Sequence, residues 1–247
     1  MQRKTQGQPM EYIAKLREYY KDHDILSTSF NCRSKCACAL ANTDSGPKSA
    51  FVGSRYGLGL PRLLFISLDA GWAEPCPAKR TPEAVRDELE GVGTEKSAPN
   101  THWYRTHELA YELLKQFDSK LSLGNITPHF AHTNASKCCP SGKGGNASPV
   151  AYLNCHRYLP GEIKVLNPDV VVTQGKEAKV GIEALLESPI KDGIAAEVLL
   201  CGRRRFLLRT DHPRYAKGFY KQREQSRRWA IYAEALQGFY NTVPEGR

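Results

Sequence analysis

Short apolar segments that alternate with helical segments constrain the fold of this chain more than any other feature of its sequence. Residues 63–68 (LLFISL) and 169–173 (DVVVT) are rich in apolar or β-branched side chains, and turn-forming residues bound them. Runs of this length are typical of parallel strands that are buried on both faces of a sheet. Further strands are predicted at residues 129–134, 197–200 and 205–208.

Helical patterns separate these strands. Apolar residues at helical spacing predict helices at residues 9–23, 102–117, 148–166 (bent at Pro160–Gly161), 175–186 and 219–240. Thr81 followed by Pro82 marks another helix start. Strands joined through helices require right-handed crossovers, so the sequence predicts a three-layer α/β/α sandwich with a central, mostly parallel sheet. We assign residues 61–247 to this core, and residues 1–60 to an N-terminal helix and a cysteine-bearing arm packed on it.

The composition narrows the location and the partners. No segment approaches the ~18 consecutive apolar residues of a transmembrane helix, and residues 1–10 lack the apolar core of a secretory signal. We therefore expect a cytoplasmic monomer with no membrane partner. The net charge of +9 suits a polyanionic partner, with DNA the first candidate. The alternative is that this charge merely keeps the chain soluble.

Six of the eight cysteines fall into two clusters. Clustered thiols in a reducing compartment favour metal ligation over disulfides. Four thiolates from two distant segments suit either a [4Fe–4S] cluster or a structural zinc ion. The alternative is a set of buried, unligated thiols. The clusters are Cys32, Cys36 and Cys38, and Cys138, Cys139 and Cys155.

The segment Thr133-Asn134-Ala135-Ser136-Lys137-Cys138-Cys139-Pro140 carries a family resemblance. It resembles the uracil-DNA glycosylase superfamily, and most closely the branch that contains an iron–sulfur cluster. In that branch a strand ending in T-N precedes K-C-x-P and a helix with another cysteine, here Cys155. The resemblance implies Cys138 and Cys155 as cluster ligands. Two more would come from Cys32, Cys36 and Cys38, although Lys35 stands where the first of the N-terminal pair is expected.

The resemblance also places two catalytic motifs. Residues 67–71 (SLDAG) stand where the family has G-Q-D-P-Y or G-E-A-P-G, and residues 212–214 (HPR) resemble H-P-S. It implies that Asp69 acts as general base or electrostatic stabiliser and that His212 donates to O2 of the departing pyrimidine. Asn134 is the implied base reader, because an amide both donates and accepts hydrogen bonds. The structural alternatives are a turn cap for Asp69, an Asx turn for Asn134 and a packing role for His212.

The base pocket also needs an aromatic platform and a gate beside C5. Trp103 or Tyr104 lies in the family's stacking region, and Trp72 is a further candidate; core packing is the alternative for each. Gly71 stands where G-Q-D-P-Y enzymes have the tyrosine that excludes thymine, and Leu68 replaces the glutamate of the other motif. We therefore expect a pocket that tolerates C5 substituents, which would suit defence against modified viral DNA rather than uracil repair.

Basic residues cluster near the proposed motifs. We expect Lys137 and Lys143 of one loop, and Arg203–Arg205 before the His212 motif, to contact phosphates. Arg214, Tyr215 and Lys217 follow that motif, where the family inserts a wedge into the duplex. The alternative for the C-terminal run is a solvated helix face.

These expectations combine into one functional hypothesis and one rival. The hypothesis is a monofunctional DNA glycosylase that leaves an abasic site, because no lysine adjoins Asp69 in its motif to form a Schiff base. The rival is a non-catalytic nucleic-acid-binding protein with a structural iron–sulfur or zinc site.

Overall fold

A six-stranded sheet forms the centre of the protein. The computed structural model describes residues 9–26, 34, 38, 47–71, 76–94, 101–138, 147–190, 193–213, 221, 224 and 229–242. Its strands are β1 (Phe51–Val52), β2 (Leu63–Asp69), β3 (Phe130–Ser136), β4 (Val170–Gln174), β5 (Ala195–Leu200) and β6 (Arg203–Thr210). They lie in the order β1-β3-β2-β4-β6-β5. The four central strands are parallel, and the edge strands β1 and β5 are antiparallel to their neighbours.

Helices pack on both faces of this sheet. Those of the described residues are α1 (Pro9–Asp22), α2 (Pro82–Val92), α3 (His102–Leu114), α4 (Pro149–Cys155), α5 (Leu159–Leu166), α6 (Lys176–Glu183) and α7 (Ala230–Thr242). One apolar core joins α1, α4, α5 and α6 to the sheet, and a second joins α2, α3 and α7 to its other face. The mixed α/β architecture with a mostly parallel sheet and helices on both faces is therefore confirmed.

Several helix and strand boundaries in the structure differ from the predicted ones. The bend expected at Pro160–Gly161 lies earlier, in a 3₁₀ turn at His156–Tyr158, and Pro160 sits in the first turn of α5. The helix predicted at 175–186 ends at Glu183, because the Leu186 backbone pairs with Leu200 instead. Strand β1 shows that the sheet already begins within the predicted N-terminal arm.

The single C-terminal helix predicted over 219–240 is wrong. Trp229 is fully buried and has a φ of 71°, a left-handed conformation that interrupts a helix. Helix α7 begins directly after it, at Ala230. The burial of the indole in the core beside α3 thus overrides the helical periodicity of the sequence.

Among the described residues, no helix combines the length and the apolar character that crossing a membrane would need.

Candidate functional site

A cleft opens at the carboxyl ends of the parallel strands. The chain passes from β2 to β3 on one side and then to β4 on the other side, so the strand order reverses at β2. Open α/β sheets bind ligands at such reversals, outside the carboxyl ends of the strands. The cleft has a volume of about 1540 Å³. Its lining includes six residues from the sequence predictions or from the predicted strand ends: Asp69, Gly71, Trp103, Asn134, Asp211 and His212.

The sheet face that α3 covers changes from apolar to polar towards this cleft. On β2, Phe65 is followed on the same face by Ser67, and on β4 Val172 is followed by Gln174. Ser67 and Gln174 are both buried. The two-residue period of the strands therefore places hydroxyl and amide groups where apolar side chains would continue the core.

Ser67 connects three strands and α3 through its hydroxyl. Its Oγ lies 2.7 Å from Gln174 Oε1, 2.8 Å from His132 Nε2 and 2.9 Å from His102 Nε2. Burial, with a smaller contribution from nearby cations, lowers the pKa of His132 to about 3, so its imidazole is neutral at pH 7. The floor of the cleft is thus a hydrogen-bonded polar network.

Asp69 ends β2, and three donors from the described residues hold its carboxylate. The Gly71 N–H lies 3.0 Å from Oδ1, while the Ala147 N–H and the Tyr152 hydroxyl lie 3.3 and 3.2 Å from Oδ2. Burial and the Asp69 charge raise the pKa of Tyr152, which keeps its phenol protonated. Because a carboxylate accepts about four hydrogen bonds, these contacts leave capacity for one more donor on Oδ1. The contact with Gly71 also caps the turn, as the structural alternative predicts.

His212 lies after β6 at the wall of the cleft and is 8% exposed. Its ring stacks on that of His102, with centroids 5.0 Å apart and planes inclined by 20°. Gly175 allows this end of the sheet to close, because a Cβ there would lie 2.8 Å from Leu68 Cδ2 and 3.1 Å from His212 Cβ. Leu68 thus lies close to the Gly175 backbone and also lines the cleft.

Asn134 and Gly71, the residues predicted to read the base and to lie beside C5, both line the cleft. Asn134 is opposite Ser67 in the β2–β3 register and lines the cleft. Gly71 has a φ of 70°, and a Cβ built there would meet no heavy atom of the described residues within 4 Å. The part of the chain that the structure describes therefore leaves space beside Gly71, whereas the backbone conformation of this residue disfavours larger side chains.

The predicted aromatic platform is only partly at the cleft. Trp103 lines it but packs edge-to-face against Phe51 and His107, with ring centroids 5.6 and 4.6 Å away. Tyr104 is not among the described residues that line the cleft. Trp72 lies outside the part of the chain that the structure describes.

The prediction that Lys137 contacts phosphate is wrong. Lys137 is 1% exposed, and its ammonium pairs with the fully buried carboxylate of Glu162. Thr133 donates to the same carboxylate oxygen at 2.7 Å, and the Tyr20 hydroxyl donates to the other at 2.6 Å. This ion pair fastens β3 to α5 and α1 inside the protein, so the lysine is not at a DNA-facing surface.

The prediction that the hairpin residues Arg203–Arg205 contact phosphates beside the site is also wrong. Arg203–Arg205 begin β6, and the cleft lies at the other end of that strand. Arg203 contacts Asp169, Arg204 contacts Glu197, and Arg205 is buried. These cations make contacts at the end of the sheet opposite the cleft. The other predicted DNA contacts, Lys143, Arg214, Tyr215 and Lys217, lie outside the described residues.

Two of the predicted ligand thiols are adjacent. Cys138 and Cys155 are buried, and a hydrogen bond from Cys138 is the main reason that the pKa of Cys155 is lowered to about 6. Cys38 is also buried and accepts a hydrogen bond from Asn154 at 3.4 Å. The buried pair fits half of a thiolate site. The described residues contain no group of three metal-ligating side chains, and Cys32 and Cys36 lie outside them.

Sequence reasoning missed three side chains of the site: His102, His132 and Tyr152. His132 stands two residues before Asn134 on a strand, so the two-residue period was a signal that both face the same way. His102 stands at the first position of α3, where helical periodicity carries no information about contacts with a distant sheet edge.

No protein-family model matches this chain, and a search of curated proteins also found no match.

Proposed function

We propose that this chain is a monofunctional DNA glycosylase with a uracil-DNA glycosylase-like fold. It would hydrolyse the N-glycosidic bond of a flipped-out uracil or C5-modified pyrimidine and leave an abasic site. One observation carries the proposal: Asp69, Asn134 and His212, from the ends of three parallel strands, line the same cleft. A flipped nucleotide needs such a pocket, because its base must leave the stack before the bond is accessible.

Bond cleavage produces positive charge on the sugar and negative charge on the base. Asp69 is suited to stabilise the first and His212 the second. As the bond from C1′ to the base nitrogen breaks, its electron pair leaves with the base and positive charge develops on the sugar. The Asp69 carboxylate, with remaining capacity on Oδ1, would orient water and stabilise this cation. His212 would donate to the oxygen that becomes negative on the base. Water supplies the hydroxyl group that bonds to C1′, and its remaining proton, accepted first by the Asp69 carboxylate, ends on the released base.

The cleft has room for a substituted base, because its volume of about 1540 Å³ exceeds the 300–1,000 Å³ of common small-molecule pockets. Open space at Gly71 leaves room beside C5, and Asn134 supplies an amide for the pyrimidine edge. We therefore favour C5-modified pyrimidines, such as those of modified viral DNA, and a defence role over uracil repair.

DNA binding would use lysines that the sequence analysis did not single out. Lys48 and Lys176 line the cleft among the described residues, and Lys48 also pairs with Glu88 at 3.6 Å. With the basic segments around Lys143 and Arg214, they would neutralise phosphates and make affinity fall with salt.

The cysteines would hold a [4Fe–4S] cluster, or zinc as the alternative. Cys138, Cys155, Cys38 and one of Cys32 and Cys36 would be the ligands. When bound, the group would supply a cross-link between the N-terminal arm and the segment after Asn134. The absorbance spectrum separates the two metals, because a [4Fe–4S] protein is brown and a zinc protein is colourless.

The test is a panel of oligonucleotides containing uracil, hydroxymethyluracil, hydroxymethylcytosine or glucosylated cytosine, scored for abasic sites. We expect base release by the wild-type protein, loss of release with retained DNA binding in Asp69→Asn, and wild-type behaviour in Asp87→Asn on the surface of α2. Borohydride should trap no covalent DNA complex, because the reaction uses water. Absence of release from every oligonucleotide would refute the proposal.

One observation favours the rival, a non-catalytic nucleic-acid-binding protein. The Asp69 carboxylate caps its own turn and accepts a hydrogen bond from Tyr152. A purely structural aspartate would make the same contacts. DNA binding with no base release in the same panel would support this rival.

A further inference from the structure

His102 connects the buried polar network to His212. Its Nε2 lies 2.9 Å from Ser67 Oγ and 3.1 Å from Gln174 Oε1, while its ring stacks on that of His212. His212 follows β6 and belongs to none of the elements that form the network. The stack is therefore a direct contact between the network and His212.

The amide of Gln174 is oriented from its far side. Thr106 Oγ1 lies 3.2 Å from Gln174 Nε2 and 3.3 Å from Gln174 Oε1. Because the Thr106 hydroxyl has one proton and donates it to the carbonyl oxygen of His102 at 2.9 Å, its oxygen accepts from Gln174 Nε2. The Gln174 amide oxygen then faces His102. Because this oxygen can only accept, His102 Nε2 carries the proton that it receives. The network thus fixes both the tautomer and the plane of the His102 ring.

Burial makes this anchor rigid. Thr106 and Gln174 are fully buried and Ser67 is 2% exposed. A hydrogen-bonded network in such a low-dielectric interior keeps its geometry. The centroid separation of 5.0 Å also leaves no room for a base between the imidazoles, since contact on both faces would need about 7 Å. His102 therefore supports His212 from behind rather than sandwiching a ligand with it.

We propose that His102 is a positioning residue for His212: Ser67 and Gln174 hold the His102 ring, and that ring holds the His212 imidazole in the orientation that serves the departing base. The catalytic consequence rests on the proposed function, whereas the anchored stack is a property of the protein without DNA. Misplacing a catalytic group by about 1 Å costs about 100-fold in rate, and it need not change the affinity for DNA.

Three substitutions distinguish the effect of the ring stack from the effect of the hydrogen bonds that hold the His102 ring. His102→Asn removes the ring, His102→Phe keeps a flat ring without the Nε2 contact, and Gln174→Met removes the anchor at similar volume. We expect the single-turnover rate of base release to fall about 100-fold in His102→Asn and about 10-fold in the other two. DNA affinity should stay within about threefold, because none of the three changes removes a cation that binds phosphate.

NMR of histidine-labelled protein without DNA gives a readout that is independent of activity. The ring-current shift of the His212 imidazole should persist in His102→Phe and disappear in His102→Asn. A His102→Asn protein with wild-type His212 resonances or a wild-type rate would overturn the proposal, as would equal rates in His102→Phe and His102→Asn. Thermal melting identifies variants that fail to fold, in which case Gln174→Met decides the rate comparison.

If the wild-type protein releases no base, the proposed function and the catalytic role of His102 fail together. The NMR comparison then still reports whether the anchored stack exists. If release occurs but His102→Asn is unaffected, this inference fails and the proposed function stands.

Discussion

The Tyr152 hydroxyl donates to the same Asp69 oxygen, Oδ2, that accepts the backbone N–H of Ala147. Tyr152 lies on α4 and Asp69 ends β2, so this contact ties the helix that bears Cys155 to the proposed catalytic carboxylate. It also leaves the other oxygen, Oδ1, with a single donor from Gly71 among the described residues.

Tyr152→Phe should slow base release about 10-fold, because the carboxylate loses a donor that fixes its orientation. The free energy of unfolding should fall by about 1–2 kcal/mol, the contribution of a hydrogen bond to a charged group. Single-turnover kinetics and urea unfolding measure the two effects. Tyr232→Phe on α7 is the matched control and should alter neither. A Tyr152→Phe protein that releases the base at the wild-type rate would contradict the role of this contact.

Substitution of Gly71 should change which bases are released. Because the described residues leave space beside Gly71, we expect the side chain of Gly71→Tyr to fill the region next to C5. Release of hydroxymethyluracil should then fall about 10-fold more than release of uracil, as expected for a steric gate. Gly71→Asn is the control, because asparagine tolerates the left-handed backbone while adding a small side chain. Equal losses for both bases in Gly71→Tyr would mean that Gly71 does not face C5.

The strands were predictable because their apolar runs are local signals. Residues 63–68 and 169–173 became β2 and β4 within one or two residues. Their parallel order placed Asp69 and Gln174 at one edge of the sheet before any contact was known. A residue such as Trp229 was not predictable, because its left-handed backbone follows from tertiary burial and not from periodicity.

The sequence motifs allowed Asp69, Asn134 and His212 to be expected at one end of the sheet, whereas the residues that contact them could not be predicted. Lys137 looks like a surface cation in sequence, and its partner Glu162 lies 25 residues away with no local signal that connects them. The contacts of His102 with Ser67 and Gln174 join positions 35 and 72 residues apart. Partners at such distances are decided by how helices dock on the sheet, which a single sequence does not specify.

The buried pair of Lys137 and Glu162 leads to a stability prediction. Lys137→Met should lower the free energy of unfolding by about 3–5 kcal/mol, because it leaves an uncompensated carboxylate in the core. The double variant Lys137→Met/Glu162→Leu should recover much of that loss, since it leaves no unpaired charge. Urea unfolding of the two proteins and the wild type checks both expectations.

Variants of the Lys137–Glu162 pair also test whether Lys137 contacts DNA. In the folded double variant, the dependence of DNA affinity on salt should equal that of the wild type. A phosphate contact would reduce the slope of log affinity against log salt by about 1. Lys176→Met at the cleft is the comparison that should show this reduction. A reduced slope in the double variant would restore Lys137 to the DNA interface.

His107 should make the protein less stable in mild acid. Burial lowers the pKa of His107 from 6.5 to about 4 in the folded chain. Between these values the unfolded chain binds the proton more readily, so the free energy of unfolding decreases as the pH falls through this range. Each pH unit corresponds to about 1.4 kcal/mol for one such group. His107→Gln removes the titration and should flatten the pH dependence of urea unfolding by that amount. Parallel curves for wild type and His107→Gln would mean that the imidazole titrates alike in both states.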